Sequence, residues 1–530
     1  MFNQGTNNAP SAESVIPYFV LSAISWLVAL VFIAFHPNSI LSTVYFNEIM
    51  LTITHILVLG FVTSVIFGAL FQLLPVIFLQ KIYSESITKA IFYLLLFGTV
   101  GLCSSFYFGG NGIGLTFFGS LLNLAVFLFI INVWKTIGKS KENKVARLFI
   151  KTSAVWLSLT TIAGLLLAIN FIRPFLPFVH IELLKIHAHF GIIGWFLFLI
   201  IGVSSVLIPM FLLVHKPDCR PLYFSYVTLI TALILGGVSK LMGVDMLMYL
   251  AYGFGGLGIV YFLNFIYVVY KTRPRKKLDY GLKKTMLAFP VLIIVIISGV
   301  FFISGFKTDF NLSAFYVIVL IFGFIATLIL GQFYKTLPFI VWLKTYKPFV
   351  GKEKTLLPKD LYNYTILKFQ FYTHVSGFML FFSGILFQLK VLFFLGISLL
   401  IIGAVLFLIN VMLVVLHKRK VPMTNLSTVN ITEMDVYKSL KNVIDPELYV
   451  NIVDLGLVYG VKLTKNPLMA NVKMTLTSKG CPMGDAIIQD VKETLMRTYS
   501  GLQVSVELVW DPGWSMEMVS EEGQRELNGM

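Results

Sequence analysis

A lone cysteine followed by proline, Cys481-Pro482, is the sharpest chemical signal in the sequence. Proline suits the first position of a helix, because its missing N–H would have no partner there. Cys481 then falls at the helix N-cap, where partial positive charge favours a thiolate. A thiolate binds iron or an iron–sulfur cluster. Asp445, Glu447 and Asp454 lie upstream and offer oxygen ligands or orienting hydrogen bonds. The competing reading is an inert buried cysteine, with the carboxylates in ordinary caps and turns. One cysteine cannot hold a cluster by itself, so a second chain or an acceptor protein has to complete the site.

Histidines give the second signal. His55, His187, His189 and His374 lie inside long apolar runs, where ionisable groups are costly and suggest function. Neutral imidazoles at depth suit haem iron or copper. His187 and His189 are two residues apart, about 200° of helix rotation, so they face different sides. The competing reading is four histidines hydrogen-bonded within a helical bundle. His36, His215 and His417 sit at run ends, where solvated roles suffice.

These residues need elements to position them. The chain has 530 residues, 57% hydrophobic and 12% charged. A soluble core cannot absorb that much apolar surface. About twelve membrane spans are expected, at 15–35, 48–78, 88–108, 114–134, 149–171, 181–214, 222–241, 246–270, 285–303, 312–342, 365–389 and 391–416. The formal charge of +16 gathers in short loops after spans 4, 8, 10 and 12, which argues for cytoplasmic loops and against nucleic acid. Both termini are therefore expected in the cytoplasm, with the chain in the cell (inner) membrane. Three cysteines give no disulfide framework.

Spans 2, 6 and 10 repeat one pattern. Anchored on Pro75, Pro209 and Pro338, glycines recur in register at Gly60 and Gly68, Gly194 and Gly202, Gly323 and Gly331. The head position is His55, His189, then Ile318. A period of about four spans makes successive copies point the same way, unlike the inverted repeats of many transporters. The expected fold class is a polytopic α-helical membrane domain of three pseudo-symmetric four-helix arcs (residues 1–420), a linker (421–430) and a small C-terminal α+β domain (431–530).

In the tail, Thr432 and Asp435 signal a helix start, alternating runs at 458–463, 471–477 and 503–509 read as strands, and helices are expected at 482–499 and from about Ser520. The motifs Asp445-Pro446-Glu447, Asp454-Leu455-Gly456-Leu457-Val458, Thr477 and Cys481-Pro482 resemble those of the SufT- and PaaD-type iron–sulfur cluster assembly family over nearly the whole tail. That resemblance implies cluster maturation through Cys481, with Asp445, Glu447, Thr477 and Asp454 around it. It also implies a transient cluster or iron as cargo, and client iron–sulfur proteins, other assembly factors or a tail-mediated homodimer as partners. An assembly factor is expected rather than a catalyst. The membrane part resembles haem–copper oxidase subunit I and NnrS-type proteins, which implies haem b or copper at His55, His187, His189 and His374. It departs from the oxidases at Ile318, where a haem ligand would stand, and in lacking a His-His pair on span 7. The alternative function is a haem-binding redox or nitric-oxide-related membrane protein.

Overall fold

The computed structural model describes residues 8–528 apart from 42–46, 110–111, 139, 177–179, 305–311, 350–354, 420–430, 447, 466–467, 479–482 and 500–501. Twelve long helices come first: α1 (Ala12–Phe35), α2 (Glu48–Phe78), α3 (Glu85–Tyr107), α4 (Gly112–Ile137), α5 (Lys144–Ile172), α6 (His180–Leu212), α7 (Arg220–Met242), α8 (Asp245–Thr272), α9 (Tyr280–Ser304), α10 (312–345), α11 (Tyr364–Leu386) and α12 (Lys390–Val415). Eleven helices among the described residues are long and apolar enough to cross a membrane. The exception is α11, whose 23 residues include Lys368, Gln370, Thr373, His374 and Ser376.

Burial divides the helices into two layers. The apolar windows of α2, α6 and α10 are 72%, 72% and 78% buried, against 22–50% for the other eight. The three repeated helices are thus the inner layer, and the rest present large apolar side chains such as Phe97, Phe127 and Tyr267 outward.

The repeat continues into backbone geometry. Each inner helix opens into an eight-residue π segment, at Ile56–Thr63, Phe190–Leu197 and Val319–Ala326. Its proline follows nineteen residues after the segment's first residue each time (56 to 75, 190 to 209, 319 to 338). π turns are rare and widen the helix locally. Their shared position means that three separate sequences place the same distortion at one register. Packing repeats as well. Gly60 and Gly68 face Ser25, Tyr18 and Phe19 of α1; Gly194 and Gly202 face Trp156 and Phe149 of α5; Gly331 faces Gly281 and Thr285 of α9. Each inner helix therefore lies against the helix before it through residues without side chains, which lets two apolar helices approach closely.

Lys284 falls differently from its expected place in a basic loop. Helix α9 begins at Tyr280, so Lys284 enters the bundle, is fully buried and donates to Gln370 Oε1 at 3.0 Å. The loop ends earlier because Asp279 accepts the Leu282 amide and caps the helix there.

The tail forms an α+β domain. Helix α13 (Glu433–Leu440) starts in a Thr432–Asp435 capping box. Strands β1 (Val458–Lys465), β2 (Leu468–Met474) and β3 (Gln503–Leu508) make one sheet in that order. The β1–β2 pair is antiparallel and the β2–β3 pair parallel. Parallel neighbours need a crossover, which helix α14 (Gly484–Thr498) supplies. Helix α15 (Glu521–Asn528) closes the domain.

A Cβ added at Gly331 would stand 2.6 Å from the Gly281 carbonyl oxygen, against backbone that cannot rotate away. Gly331→Val is expected to destabilise the bundle by about 1–3 kcal/mol, whereas Gly253→Ala, with open space around it, should be neutral. Thermal unfolding of the two variants in detergent checks the contrast.

Candidate functional site

Of the tail motifs, the structure describes Asp445-Pro446, Asp454–Val458 and Thr477. Asp445 is 1% exposed, and its Oδ1 accepts the Leu448 amide at 3.1 Å. Its backbone N–H donates to the Val450 carbonyl, and its carbonyl accepts the Tyr449 amide at 2.8 Å. This tight turn puts Tyr449 in the left-handed region, at φ +62°. Pro446, Tyr449 and Met483 line one common cavity, so the turn at Pro446 and Tyr449 shares a face of the domain with Met483, just before α14. Cys481, Pro482 and Glu447 lie outside the described residues.

Asp454 is a brace. Its Oδ1 accepts from Ser520 Oγ at 3.0 Å and Lys441 Nζ at 3.2 Å, and its Oδ2 accepts from Asn451 Nδ2 at 2.6 Å. The next motif residue but one, Gly456, has φ +68°, and a Cβ there would run into the Met518 carbonyl. Only glycine satisfies both conditions. Trp514 Nε1 donates to the Leu455 carbonyl at 2.6 Å. The Asp454–Val458 motif is thereby tied to the C-terminal segment. Burial raises the Asp454 pKa, but hydrogen bonds from Asn451, Lys441 and Ser520 outweigh it and hold the carboxyl below its ordinary value.

Thr477 is buried, and its carbonyl accepts a hydrogen bond from His215 Nε2 at 2.6 Å. His215 follows α6, and its ring also meets Trp514 at 5.3 Å. A second contact sets Lys359 Nζ 3.8 Å from the Tyr449 ring centroid. The motif face of the tail thus rests on the loops after α6 and after α10, at the end of the bundle carrying the Lys and Arg loops. His215 reads in sequence as a solvated end residue, and nothing about it signals a tail contact. Lys335, within the apolar run of α10, is a legible anomaly; it pairs with Asp279, which Arg275 also approaches at 3.6 Å.

The membrane histidines separate. His55 and His187 come together, with ring centroids 6.4 Å apart and planes inclined by 26°. His55 Nδ1 is 2.8 Å from the Leu51 carbonyl, and His187 Nδ1 is 2.8 Å from the Thr160 carbonyl of α5. A carbonyl accepts, so both Nδ1 atoms carry the proton and each Nε2 is left with its lone pair. This is the arrangement by which backbone groups orient metal-ligating imidazoles. Two neutral imidazoles with unprotonated Nε2 atoms are donors of the type that a metal or haem iron takes. His189 instead bonds its own turn, Nδ1 to the Lys185 carbonyl at 2.8 Å. His374 Nε2 meets Thr327 Oγ1 at 3.0 Å, and its ring lies near Trp26. Among the described residues, no three of His, Cys, Asp and Glu form a metal-ligand group.

With this geometry in view, the comparisons concern the tail. The family profile "Iron-sulfur cluster assembly protein" matches residues 433–508. A Porphyromonas gingivalis protein named Fe-S protein maturation auxiliary factor is 40% identical over 96 residues, 90% of its length and 18% of this chain. Through its C-terminal domain, the chain belongs to the iron–sulfur cluster assembly family. The maturation factor YitW of Bacillus subtilis is 40% identical over 83% of its length and 16% of this chain. SufT of Staphylococcus aureus is 47% identical over 88% of its length and 15% of this chain. The family match includes Asp445, Asp454, Thr477 and Cys481.

Asp454 gives a sign-determined pH effect. Its folded pKa lies below the unfolded value, so its contribution is present above about pH 4 and lost as pH falls through the folded value. Asp454→Ala is expected to cost about 1–3 kcal/mol at pH 7, by leaving Asn451 and Ser520 without their acceptor. The deficit should shrink in acid, where the native carboxyl is itself protonated. Near-ultraviolet dichroism of the tail tryptophans during denaturation at pH 7 and pH 3 checks it.

Proposed function

We propose that this chain is a membrane-anchored factor that assembles or inserts iron–sulfur clusters, acting through its tail on the cytoplasmic face. The observation that carries the reading is the family match, which takes in nearly the whole length of dedicated maturation factors. Cys481 supplies the thiolate that holds iron. The Asp-Pro-Glu turn, with Asp445 and Glu447, and Thr477 shape the approach to it, while Asp454 positions the motif loop. A partner completes the ligand set, either an assembly factor, a client or the tail of a second copy. Transfer proceeds by thiolate exchange. Each client thiolate that binds iron replaces one donor thiolate, and no electrons move. A reducing compartment keeps the thiol free, which agrees with the one-sided basic loops and a cytoplasmic tail. The bundle is read as three four-helix arcs about an axis along the membrane normal. The common register of its π segments and prolines supports this reading.

A second reading concerns the bundle alone. The His55–His187 pair, with both tautomers set by carbonyls, favours a bound haem or copper, and with it a redox or nitric-oxide-related role. The group would supply electron transfer or gas binding. The chain's part is to hold two neutral imidazoles in place and exclude water.

Two measurements test these readings. Cys481→Ala should leave the protein folded yet fail to restore client iron–sulfur enzymes in cells lacking the native copy; full restoration would make the cysteine structural. Purified protein should show a haem Soret band or stoichiometric copper that His187→Ala removes. Absence of both from the unaltered protein purified from haem- and copper-replete cells counts against the second reading.

A further inference from the structure

The tail and the bundle enclose a cavity of about 80 Å³ at the basic end. Inner helices α2, α6 and α10 supply its floor, and Pro446, Tyr449 and Met483 of the tail supply its roof. Its described lining is mostly apolar. The charged residues in that described lining are all cationic: Arg275, Lys335 and Lys359. Arg275 and Lys335 are only 8% and 14% exposed in their side chains, and they share one carboxylate, Asp279. Asp360, beside Lys359, turns its Oδ2 to the Leu357 amide instead. Gln72 is 2% exposed, lines the same cavity, and its buried Nε2 has no hydrogen-bond partner among the described residues.

A buried amide without a partner is costly, and half-shared buried cations cost more. One acceptor-only guest relieves both. We infer that the cavity between the tail and the bundle is a binding site for a small inorganic anion, held by Gln72 Nε2, Arg275, Lys335 and Lys359. Size sets the class. A buried water needs roughly 10–15 Å³ in this measure, so the cavity takes about five water-sized groups, which suits an anion of sulfate size or smaller. A lipid phosphate shares this chemistry, but the site lies between the inner helices and the tail.

The test uses the full chain in lipid nanodiscs at low chloride, with radiolabelled sulfate and, separately, hydrosulfide as probes. Saturable binding of either probe at one site per chain is expected. Gln72→Leu and Lys359→Met should each weaken it at least fivefold. Lys141→Met removes an equal charge from an exposed basic loop and should leave it unchanged. No saturable binding of either probe overturns the proposal, as does equal weakening by all three variants, which would mean diffuse charge attraction. Binding that emerges only after delipidation would assign the site to a lipid headgroup and overturn the free-anion reading.

Discussion

Everything in the bundle depends on one constraint: three helices are enclosed by other helices, so every polar group on them needs a partner inside the protein. In α2, α6 and α10 close packing and polar groups are arranged in layers, with Gln72 Nε2 left without a partner among the described residues. Glycines bring each helix against its predecessor, and π segments open the same turn in all three. In α2 and α6, histidines sit on one side of those segments, where their Nδ1–H groups donate to backbone carbonyls. Prolines sit on the other side, toward the basic end, where the polar side chains meet the tail. A lipid-facing helix needs none of this, and the outer helices carry ordinary apolar surfaces.

The tail is seated through few contacts, and they are specific. His215 to the Thr477 carbonyl and Lys359 against Tyr449 both involve motif segments of the assembly domain. Two segments within the family match, at Tyr449 and at Thr477, are therefore turned to the bundle. That arrangement couples the two halves: whatever approaches the motif face must share space with the cationic mouth formed by Arg275 and Lys335.

Much of this was legible in the sequence because each signal is local. Helix and strand positions follow hydrophobic periodicity, the Thr432–Asp435 capping box was visible in four residues, and the repeat could be read from glycine and proline spacing. The repeat sets His55 level with His189, yet the ring that meets His55 is His187. What sequence could not supply is long-range pairing. His215 lies 262 residues from Thr477, and a histidine at a helix end looks solvated until its partner is known. Lys284 was assigned to a loop because charge normally ends a span; Gln370, 86 residues away, makes its burial tolerable. Asp454 reads in sequence as an oxygen ligand, an orienting residue or an ordinary cap; its oxygens are engaged by Asn451, Lys441 and Ser520, a network whose members lie both before it and near the C-terminus.

The central claim is that the assembly domain works while seated on the basic end of the bundle. Photo-crosslinking in native membranes tests it most directly. A photoreactive benzoylphenylalanine placed at Tyr449 should yield an intramolecular crosslink to the segment around Pro358–Leu361, where Lys359 lies 3.8 Å from the ring. Abundant full-length protein with no crosslink to that segment would contradict the account.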